Sequence, residues 1–448
     1  MSDILKKNTN TFFKSVNDRG ETIFNESAIN ICFKYDKTEY IKLMNEEEYD
    51  RLIEVKNKID ELEDCKVWDK IKKISNAFEL IYLPNKKIKS TSVSKYEPLS
   101  RSYFKLWEII HDFNLINQLQ PIKVAGLAEG PGGFIEAVIN YRKKFKNICK
   151  SDHVYGITLM SFDKDIPCWN KATNFLKKNP NVSVHYGKDE TGNIYNIENI
   201  EHFASNFNHD ADLVTADGGF DFSTNFNKQE QTSLRIIFCE IVTALSIQKK
   251  GGTFVCKVYD TYTHVSVSFL FLLSCLYDTI NLTKPFTSRP ANSEKYLVCN
   301  GFKGISPILL KKLHILVRSW EIIDKNGKYI RSIIDFDKIP QSFKDTVRHF
   351  NTIFFNHQVQ NIEKTLLYIE KFNIGNQATT NHSTSNHMNN VYFYKETVNK
   401  QVYYAFNWCK KYKCKINYDS ELILNSNISL PSKKYNFNEN WKNGVKVI

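Results

Sequence analysis

The sequence lacks the features of a secreted, metal-stapled or membrane-spanning protein. Its ten cysteines contain no C-x-x-C pair, so they give no zinc framework, and we expect no metal. Several cysteines lie in apolar runs, where a free thiol behaves as a small hydrophobe, which indicates a reducing compartment. There is no run of about 18 apolar residues, and the start "MSDILKKNTNTFFK" has no signal-peptide core. We therefore expect an intracellular protein without a membrane span.

Two familiar phosphate-binding patterns are also missing from the most glycine-rich stretch, "VAGLAEGPGGFIEAVINY" at residues 124–141. It matches neither the dinucleotide fingerprint G-x-G-x-x-G nor the P-loop, which needs G-K-[ST]. It does join a short apolar strand to an apolar-periodic helix through a Gly-Pro-Gly-Gly turn. Such a turn lets a ligand approach the backbone and offers free N–H groups. The alternative is a tight turn that holds no ligand.

Composition indicates a globular protein with a basic surface. The chain has 448 residues, of which 42% are hydrophobic and 25% charged, and its net charge is +12. A polyanionic partner, most often nucleic acid, would explain this charge, and a merely solvated basic surface would explain it equally well.

The pattern along the chain predicts three regions. Residues 1–95 form an N-terminal accessory region with charged helical stretches, and residues 96–305 alternate short strands with helices. Residues 306–448 are mostly helical, with a polar low-complexity segment near 375–390 that predicts a mobile loop. Alternating strands and helices predict an α/β fold whose sheet is mostly parallel and covered on both faces. In such sheets the ligand lies beyond the carboxyl ends of the strands.

Four ionisable residues fall at strand ends in a recognisable order. Lys105 precedes the first strand, Asp217 follows "LVTA", Lys257 ends "GGTFVCK", and Glu294 begins the last strand "EKYLVC". This order, with the glycine turn between the first two, resembles the FtsJ-type RNA ribose 2′-O-methyltransferases. The segment "KPFTSRPANSEKYLVCNGFK" resembles more narrowly the cap-specific mRNA (nucleoside-2′-O-)-methyltransferases of eukaryotes and large DNA viruses. The resemblance covers roughly residues 98–305.

The resemblance implies a Rossmann-like class I methyltransferase fold with a seven-stranded sheet, S-adenosylmethionine as cofactor, and capped mRNA as substrate. It assigns Lys105, Asp217, Lys257 and Glu294 to catalysis. It assigns cofactor binding to the glycine turn, to the end of the second strand, to the following loops and to Asp217: Ala128, Glu129, Gly130, Pro131, Gly132, Gly133, Phe134, Thr158, Leu159, Asp189, Asn193 and Ile194. It assigns RNA contacts to Gln231, Ser288, Arg289 and Asn292.

The chemistry explains why lysines and carboxylates would be paired. A ribose hydroxyl holds its proton tightly, so the site must orient the oxygen and stabilise developing negative charge. A desolvated lysine near a second cation has a lowered pKa and can act as a base, and we expect this of Lys257 beside Lys105. Asp217 and Glu294 would position the two ammonium groups. Tyr296 and Phe134 are interpreted as core residues rather than ligand contacts.

Two other functions stay open at this point. One is a ribosomal or transfer RNA ribose 2′-O-methyltransferase, and the other is a catalytically idle RNA-binding subunit with the same fold. The bias towards Asn, Lys, Ile and Tyr suggests an AT-rich genome. We expect the cytoplasm or a virion if the protein is viral, the nucleus if it is cellular, and other capping or transcription proteins as partners of the flanking regions.

Overall fold

The structure is a computed structural model. It describes residues 10–14, 24–37, 42–62, 65–84, 91–117, 119–145, 151–161, 163, 166–220, 226–372 and 384–426.

Among the described residues, eight strands form one mixed sheet. Its strands are β1 (Asn10–Lys14), β3 (Lys123–Leu127), β4 (His153–Ile157), β5 (Val182–His185), β6 (Ala211–Ala216), β7 (Gln248–Val258), β8 (Tyr277–Thr283) and β9 (Lys295–Phe302). Their spatial order is β1-β8-β9-β7-β6-β3-β4-β5. The pairs from β5 to β7 are parallel, whereas β9 runs antiparallel to both β7 and β8. The predicted Rossmann-like, mostly parallel sheet is therefore confirmed.

The eighth strand was not expected from the sequence. Strand β1 comes from the region before the α/β domain and pairs antiparallel with β8 at the edge of the sheet. Its five residues, "NTFFK", are too few to show the alternation typical of a strand, and they pair with the edge that β8 offers.

Twelve α-helices lie in the described part of the chain, and the central strands of the sheet are buried on both faces. The helices are α1 (Glu46–Asp60), α2 (Cys65–Ser75), α3 (Ser102–Phe113), α4 (Gly133–Phe145), α5 (Thr173–Lys178), α6 (Ile197–Ala204), α7 (Gln229–Ile247), α8 (His264–Leu276), α9 (Pro307–Lys325), α10 (Gln341–Lys371), α11 (Thr384–Lys411) and α12 (Glu421–Leu424). Successive side chains of a strand point to opposite faces, and Val214, Thr215 and Ala216 of β6 are all fully buried. Neither face of the central strands is therefore open to water.

The chain divides into two compact units, which differ from the three consecutive regions expected from the sequence. The larger unit joins Met1–Phe78 to Glu97–Asn381, because α1 and α2 pack on α10, and β2 (Ile31–Asp36) pairs with β10 (Tyr329–Ile334). Its core therefore draws on segments far apart in the chain.

The smaller unit joins Glu79–Tyr96 to His382–Ile448. Within it, Trp408 and Tyr412 of α11 are buried, and Ser94 forms an antiparallel bridge with Ile416. The loop predicted near 375–390 lies partly outside the described residues, at 373–383. From Thr384 onwards the chain is helical, which corrects that part of the prediction. Within the described part of the chain, no helix is both long and apolar enough to cross a membrane.

Candidate active site

The strand pairing brings the predicted catalytic residues to one edge of the sheet. Ala216 lies beside Cys256 in the parallel pair β6–β7, so the next residues, Asp217 and Lys257, also lie side by side. In the antiparallel pair β7–β9, Lys257 lies opposite Tyr296, two residues after Glu294. Register alone thus places these residues together, although they are far apart in the sequence.

The four ionisable residues form two ion pairs with little exposure to water. The Lys257 ammonium lies 3.2 Å from a carboxylate oxygen of Asp217 and donates to the Asp217 carbonyl oxygen at 2.8 Å. The Lys105 ammonium, on α3, lies 2.8 Å from both carboxylate oxygens of Glu294. Side-chain exposure of all four residues is 10–15%. The structure therefore assembles the predicted group of two lysines and two carboxylates.

Tyr296 is a core residue, as interpreted from the sequence, and it also reaches the site. It is fully buried, and its ring lies 5.8 Å from that of Phe134, which is equally buried. Its hydroxyl donates to the Asp217 carboxylate at 3.0 Å. Asp217 is thus held by a tyrosine on one side and by Lys257 on the other.

The electrostatics of Lys257 overturn one expectation. Burial alone lowers the pKa of this ammonium, but the surrounding Asp217, Tyr259 and Glu294 raise it, and the net pKa lies above its usual value. The predicted depression of the Lys257 pKa is therefore wrong. Burial would likewise raise the pKa of Glu294, but Lys105 and Lys257 outweigh it and lower that pKa to about 2. Both shifts favour the charged forms of Lys257 and Glu294.

The glycine turn abuts the ion pairs. Ala128 and Gly132 adopt φ values of 50° and 96°, in the left-handed region that favours glycine, and α4 begins at Gly133. A Cβ atom placed on Gly218 would lie 3.1 Å from the Cβ of Ala128, so the turn that follows Asp217 lies against the glycine turn. A Cβ on Gly133 would meet the hydroxyls of Ser100 and Ser102, close to the start of α3.

Glu129 acts inside this turn as a structural carboxyl. Its two oxygens accept hydrogen bonds from the Ile135 N–H at 3.0 Å and the Thr215 hydroxyl at 3.2 Å. Burial raises the pKa of Glu129 well above its usual value. The carboxyl ties the start of α4 to β6, and Pro131 and Phe134 beside it are buried. The side chain of Trp169, which the sequence did not indicate, packs against Gly132.

The remaining predicted cofactor residues lie in two adjoining loops. The Met160 N–H donates to the Thr191 carbonyl at 2.8 Å, which joins the end of β4 to the loop after β5. Leu159 and Met160 are 40% and 45% exposed, unusual for large apolar side chains beside a glycine turn. Thr158 is buried in the same segment.

Asp189 organises the second of these loops. It is exposed and accepts hydrogen bonds from Thr191, Asn196 and Asn199, and these bonds hold its pKa below its usual value. The Asn193 side chain accepts the Tyr195 N–H at 3.0 Å, while the Ile194 side chain belongs to the hydrophobic core. Ile194 can therefore offer a ligand its backbone but little of its side chain.

These residues fit S-adenosylmethionine by the chemistry of their groups. The start of α4 provides backbone N–H groups suited to a carboxylate, and Asp189 provides an acceptor suited to hydroxyls or an amine. The exposed Leu159 and Met160 provide an apolar surface suited to a flat base. Among the described residues, no group of three His, Cys, Asp or Glu side chains is placed to hold a metal ion.

The predicted RNA contacts divide into two kinds. Ser288 is buried and donates to the Glu294 carboxylate at 2.8 Å, and Asn292 accepts from the Lys284 ammonium at 2.7 Å, so both also build the site itself. Arg289 and Gln231 are half-buried. The Gln231 Oε1 atom is buried and has no hydrogen-bond partner among the described residues. The contacts of all four residues with RNA stay a prediction.

The sheet order and the two ion pairs at its carboxyl edge define a Rossmann-like methyltransferase domain. Residues 98–302 match the FtsJ-like methyltransferase family. The chain thus contains an FtsJ-like methyltransferase domain, and the resemblance predicted from the sequence is confirmed.

Curated relatives from distant eukaryotes share this region. The chain is 38% identical over 194 residues to the cap-specific mRNA (nucleoside-2′-O-)-methyltransferase 1 of Mus musculus, which covers 41% of this chain and 22% of that protein. It is 28% identical over 334 residues to the protein of the same name from Dictyostelium discoideum, covering 70% and 42% respectively. It is 29% identical over 295 residues to the cap-specific mRNA (nucleoside-2′-O-)-methyltransferase 2 of Mus musculus, covering 64% and 37%. The chain spans less than half the length of each of these relatives.

Proposed function

We propose that the protein transfers a methyl group from S-adenosylmethionine to the ribose 2′-hydroxyl of the first transcribed nucleotide of capped mRNA. The main support for this proposal is that two ion pairs, Lys105–Glu294 and Lys257–Asp217, lie beside the glycine turn. The FtsJ-like match and the names of the relatives support the same chemistry.

The cofactor would be held by the glycine turn and the two loops beside it. When bound, S-adenosylmethionine supplies an electrophilic methyl group on a sulfonium centre. Leu159 and Asp189 would contact the nucleoside part, and the start of α4 would contact the carboxylate. The Asp217 turn touches both this region and Lys257, so the ion pairs would lie next to the reactive end of the bound cofactor.

Lys257 would act on the ribose hydroxyl as a cation. Because its neighbours raise its pKa, it keeps its proton at neutral pH and can donate a hydrogen bond to the oxygen. As that oxygen forms its bond to the methyl group, the bond between the methyl group and sulfur would break. The fixed ammonium would stabilise the developing negative charge on the oxygen, and the hydroxyl proton would pass to solvent. Asp217 and Tyr296 fix the position of Lys257 rather than contact the hydroxyl themselves.

Lys105 and Glu294 would form the other side of the site that binds the ribose. The Lys105 ammonium adds a second positive charge, and Glu294 limits the net charge of the site and fixes the end of Lys105. Gln231 and Arg289 would contact the RNA, since Gln231 offers a buried acceptor and an arginine fork suits phosphate. The net charge of +12 supports binding to a polyanion.

The cellular location and further partners are part of the proposal. The protein would act inside the cell, in the cytoplasm or virion if viral and in the nucleus if cellular. Other capping or transcription proteins would bind its flanking regions.

The test uses one short RNA in four forms. Labelled methyl transfer is measured on capped RNA, on the uncapped triphosphate, and on capped RNA whose first or second nucleotide lacks the 2′-hydroxyl. We expect transfer to the capped RNA and to the form lacking the second hydroxyl only. Equal transfer to uncapped RNA would favour a ribosomal or transfer RNA enzyme, and loss with the second hydroxyl would move the target by one nucleotide. No transfer, with RNA binding intact, would favour the idle subunit.

A further inference from the structure

A third lysine, Lys284, contacts the backbone of Glu294, and the proposed methyl transfer assigns it no role. It follows β8 directly, and its ammonium donates to the Asn292 carbonyl at 2.7 Å, the Asn292 side-chain oxygen at 2.7 Å and the Glu294 carbonyl at 2.8 Å. These bonds span the loop between β8 and β9, which carries Ser288 and ends at Glu294. Lys284 is therefore an internal brace of that loop.

The brace acts on the backbone of Glu294, while other groups act on its side chain. The Ser288 hydroxyl donates to one carboxylate oxygen at 2.8 Å, and Lys105 approaches both oxygens. From α3, the fully buried Glu108 accepts the backbone N–H groups of Phe286 and Thr287 at 2.8 and 3.2 Å. The loop is thus held at several points, and Lys284 holds the backbone of Glu294.

Placing an ammonium group there is energetically unfavourable. Burial is the main cause that lowers the pKa of Lys284; Glu294 opposes it, Lys295 and Lys105 add to it, and the net pKa is about 7. Nearby His357 of α10 also has its pKa lowered to about 4, first by burial and then by Lys284 and Lys295. All of the ammonium contacts are oxygens of the loop itself, and an apolar side chain could fill the space without this cost. The ammonium holds Glu294 in position, and an apolar residue would not do so.

We propose that Lys284 is a positioning residue for methyl transfer, which holds Asn292 and the Glu294 backbone so that the Glu294 carboxylate meets Lys105. This inference rests on the proposed function. It makes two claims that a merely structural role would not make. Loss of the ammonium should lower kcat more than it weakens binding, and its effect should depend on the Glu294 carboxylate.

The test compares Lys284→Met with a matched control, Lys364→Met. Lys284 and Lys364 both line one cavity of about 250 Å³. The Lys364 ammonium donates to the Ser75 carbonyl, which is not part of the β8–β9 loop. We expect Lys284→Met to lower kcat by about 100-fold, the effect of a misplacement of about 1 Å in the site. The KM for capped RNA and the calorimetric Kd for S-adenosylmethionine should stay within about threefold, because neither depends on the position of the Glu294 carboxylate. Lys364→Met should keep the wild-type kcat.

A double-mutant cycle with Glu294→Gln decides how Lys284 acts. If Lys284 works through Glu294, Lys284→Met should change the rate less than about threefold in the Glu294→Gln background. An equal loss in both backgrounds would overturn the inference, as would a wild-type kcat in Lys284→Met. If circular dichroism shows that Lys284→Met does not fold, Lys284→Gln takes its place, because its side-chain amide keeps two N–H donors. Failure of both to fold would make Lys284 structural and refute the proposal. A wild type that binds S-adenosylmethionine but transfers no methyl would refute the proposed function, and this inference with it.

Discussion

Replacing Lys257 with alanine should abolish methyl transfer while leaving S-adenosylmethionine binding nearly intact. The ammonium lies against Asp217, and the Lys257 side chain is only 10% exposed, so water replaces it poorly. Removing one fixed donor to a developing oxyanion costs about 2.7–4 kcal/mol, or a factor of roughly 10²–10³ in rate. Asp217 keeps the hydrogen bond from Tyr296, so we expect the fold to survive with a loss of up to about 3 kcal/mol of stability.

The same position separates a cationic role from a basic one. Because the pKa of Lys257 is raised, deprotonation of this residue should produce no rise in kcat/KM between pH 7 and about pH 9. Lys257→Arg should be nearly inactive although it keeps the charge. A Cβ placed on neighbouring Gly219 would lie only 2.9 Å from the ammonium, which shows how little room a guanidinium would have.

The assay is single-turnover methyl transfer across this pH range, with calorimetry for the cofactor and thermal melting for the fold. Lys250→Ala serves as the control, since Lys250 lies on the same strand, is exposed and sits at its opposite end. Retention of more than about a tenth of the wild-type rate in Lys257→Ala would mean a loss below about 1.4 kcal/mol and would refute the assignment. A tenfold rise in rate per pH unit that Lys257→Arg abolishes would show that the residue is a base.

Three further outcomes follow from buried and surface charges. Burial raises the pKa of Glu240 to about 8, so its contribution to the free energy of unfolding is complete below about pH 4.5 and is lost as the pH rises to about 8. In denaturant titrations, Glu240→Gln should flatten this decline in stability, which is worth a few kcal/mol. Parallel profiles for the wild type and the variant would contradict this expectation. Asp260→Asn should destabilise the protein by about 3–5 kcal/mol, because Lys56 and Lys295 would lose their buried partner, and a loss below about 1 kcal/mol would show that the network is solvated. Affinity for single-stranded RNA should fall with salt at a log–log slope of about −0.7 per phosphate contact, and a flat salt dependence would mean that the basic charge serves another purpose.

Much of the site could be predicted from the sequence because strand ends converge in a parallel sheet. Lys105, Asp217 and Lys257 each stand beside a recognisable strand or turn, so their order was enough to place them together. The register of β7 and β9 then adds Tyr296, whose second role depends on a hydroxyl that reaches past β7 to Asp217 at the end of β6.

Other features depend on packing that no local pattern encodes. Glu108 lies far from the β8–β9 loop in the sequence and meets it only in the folded chain, where Lys284, at the start of that loop, contacts its end. The sign of the Lys257 pKa shift could not be read from the lysine pair alone, because it depends on how many carboxylates surround the ammonium. Strand β1 likewise exists only because β8 offers an edge.

The most direct test of the central claim is mass spectrometry of the capped RNA end after reaction and nuclease digestion. Wild-type protein with S-adenosylmethionine should add one methyl group to the first ribose, and Lys257→Ala should add none under the same conditions. A methyl group on a base, on an internal ribose, or equally abundant on uncapped RNA would contradict the account.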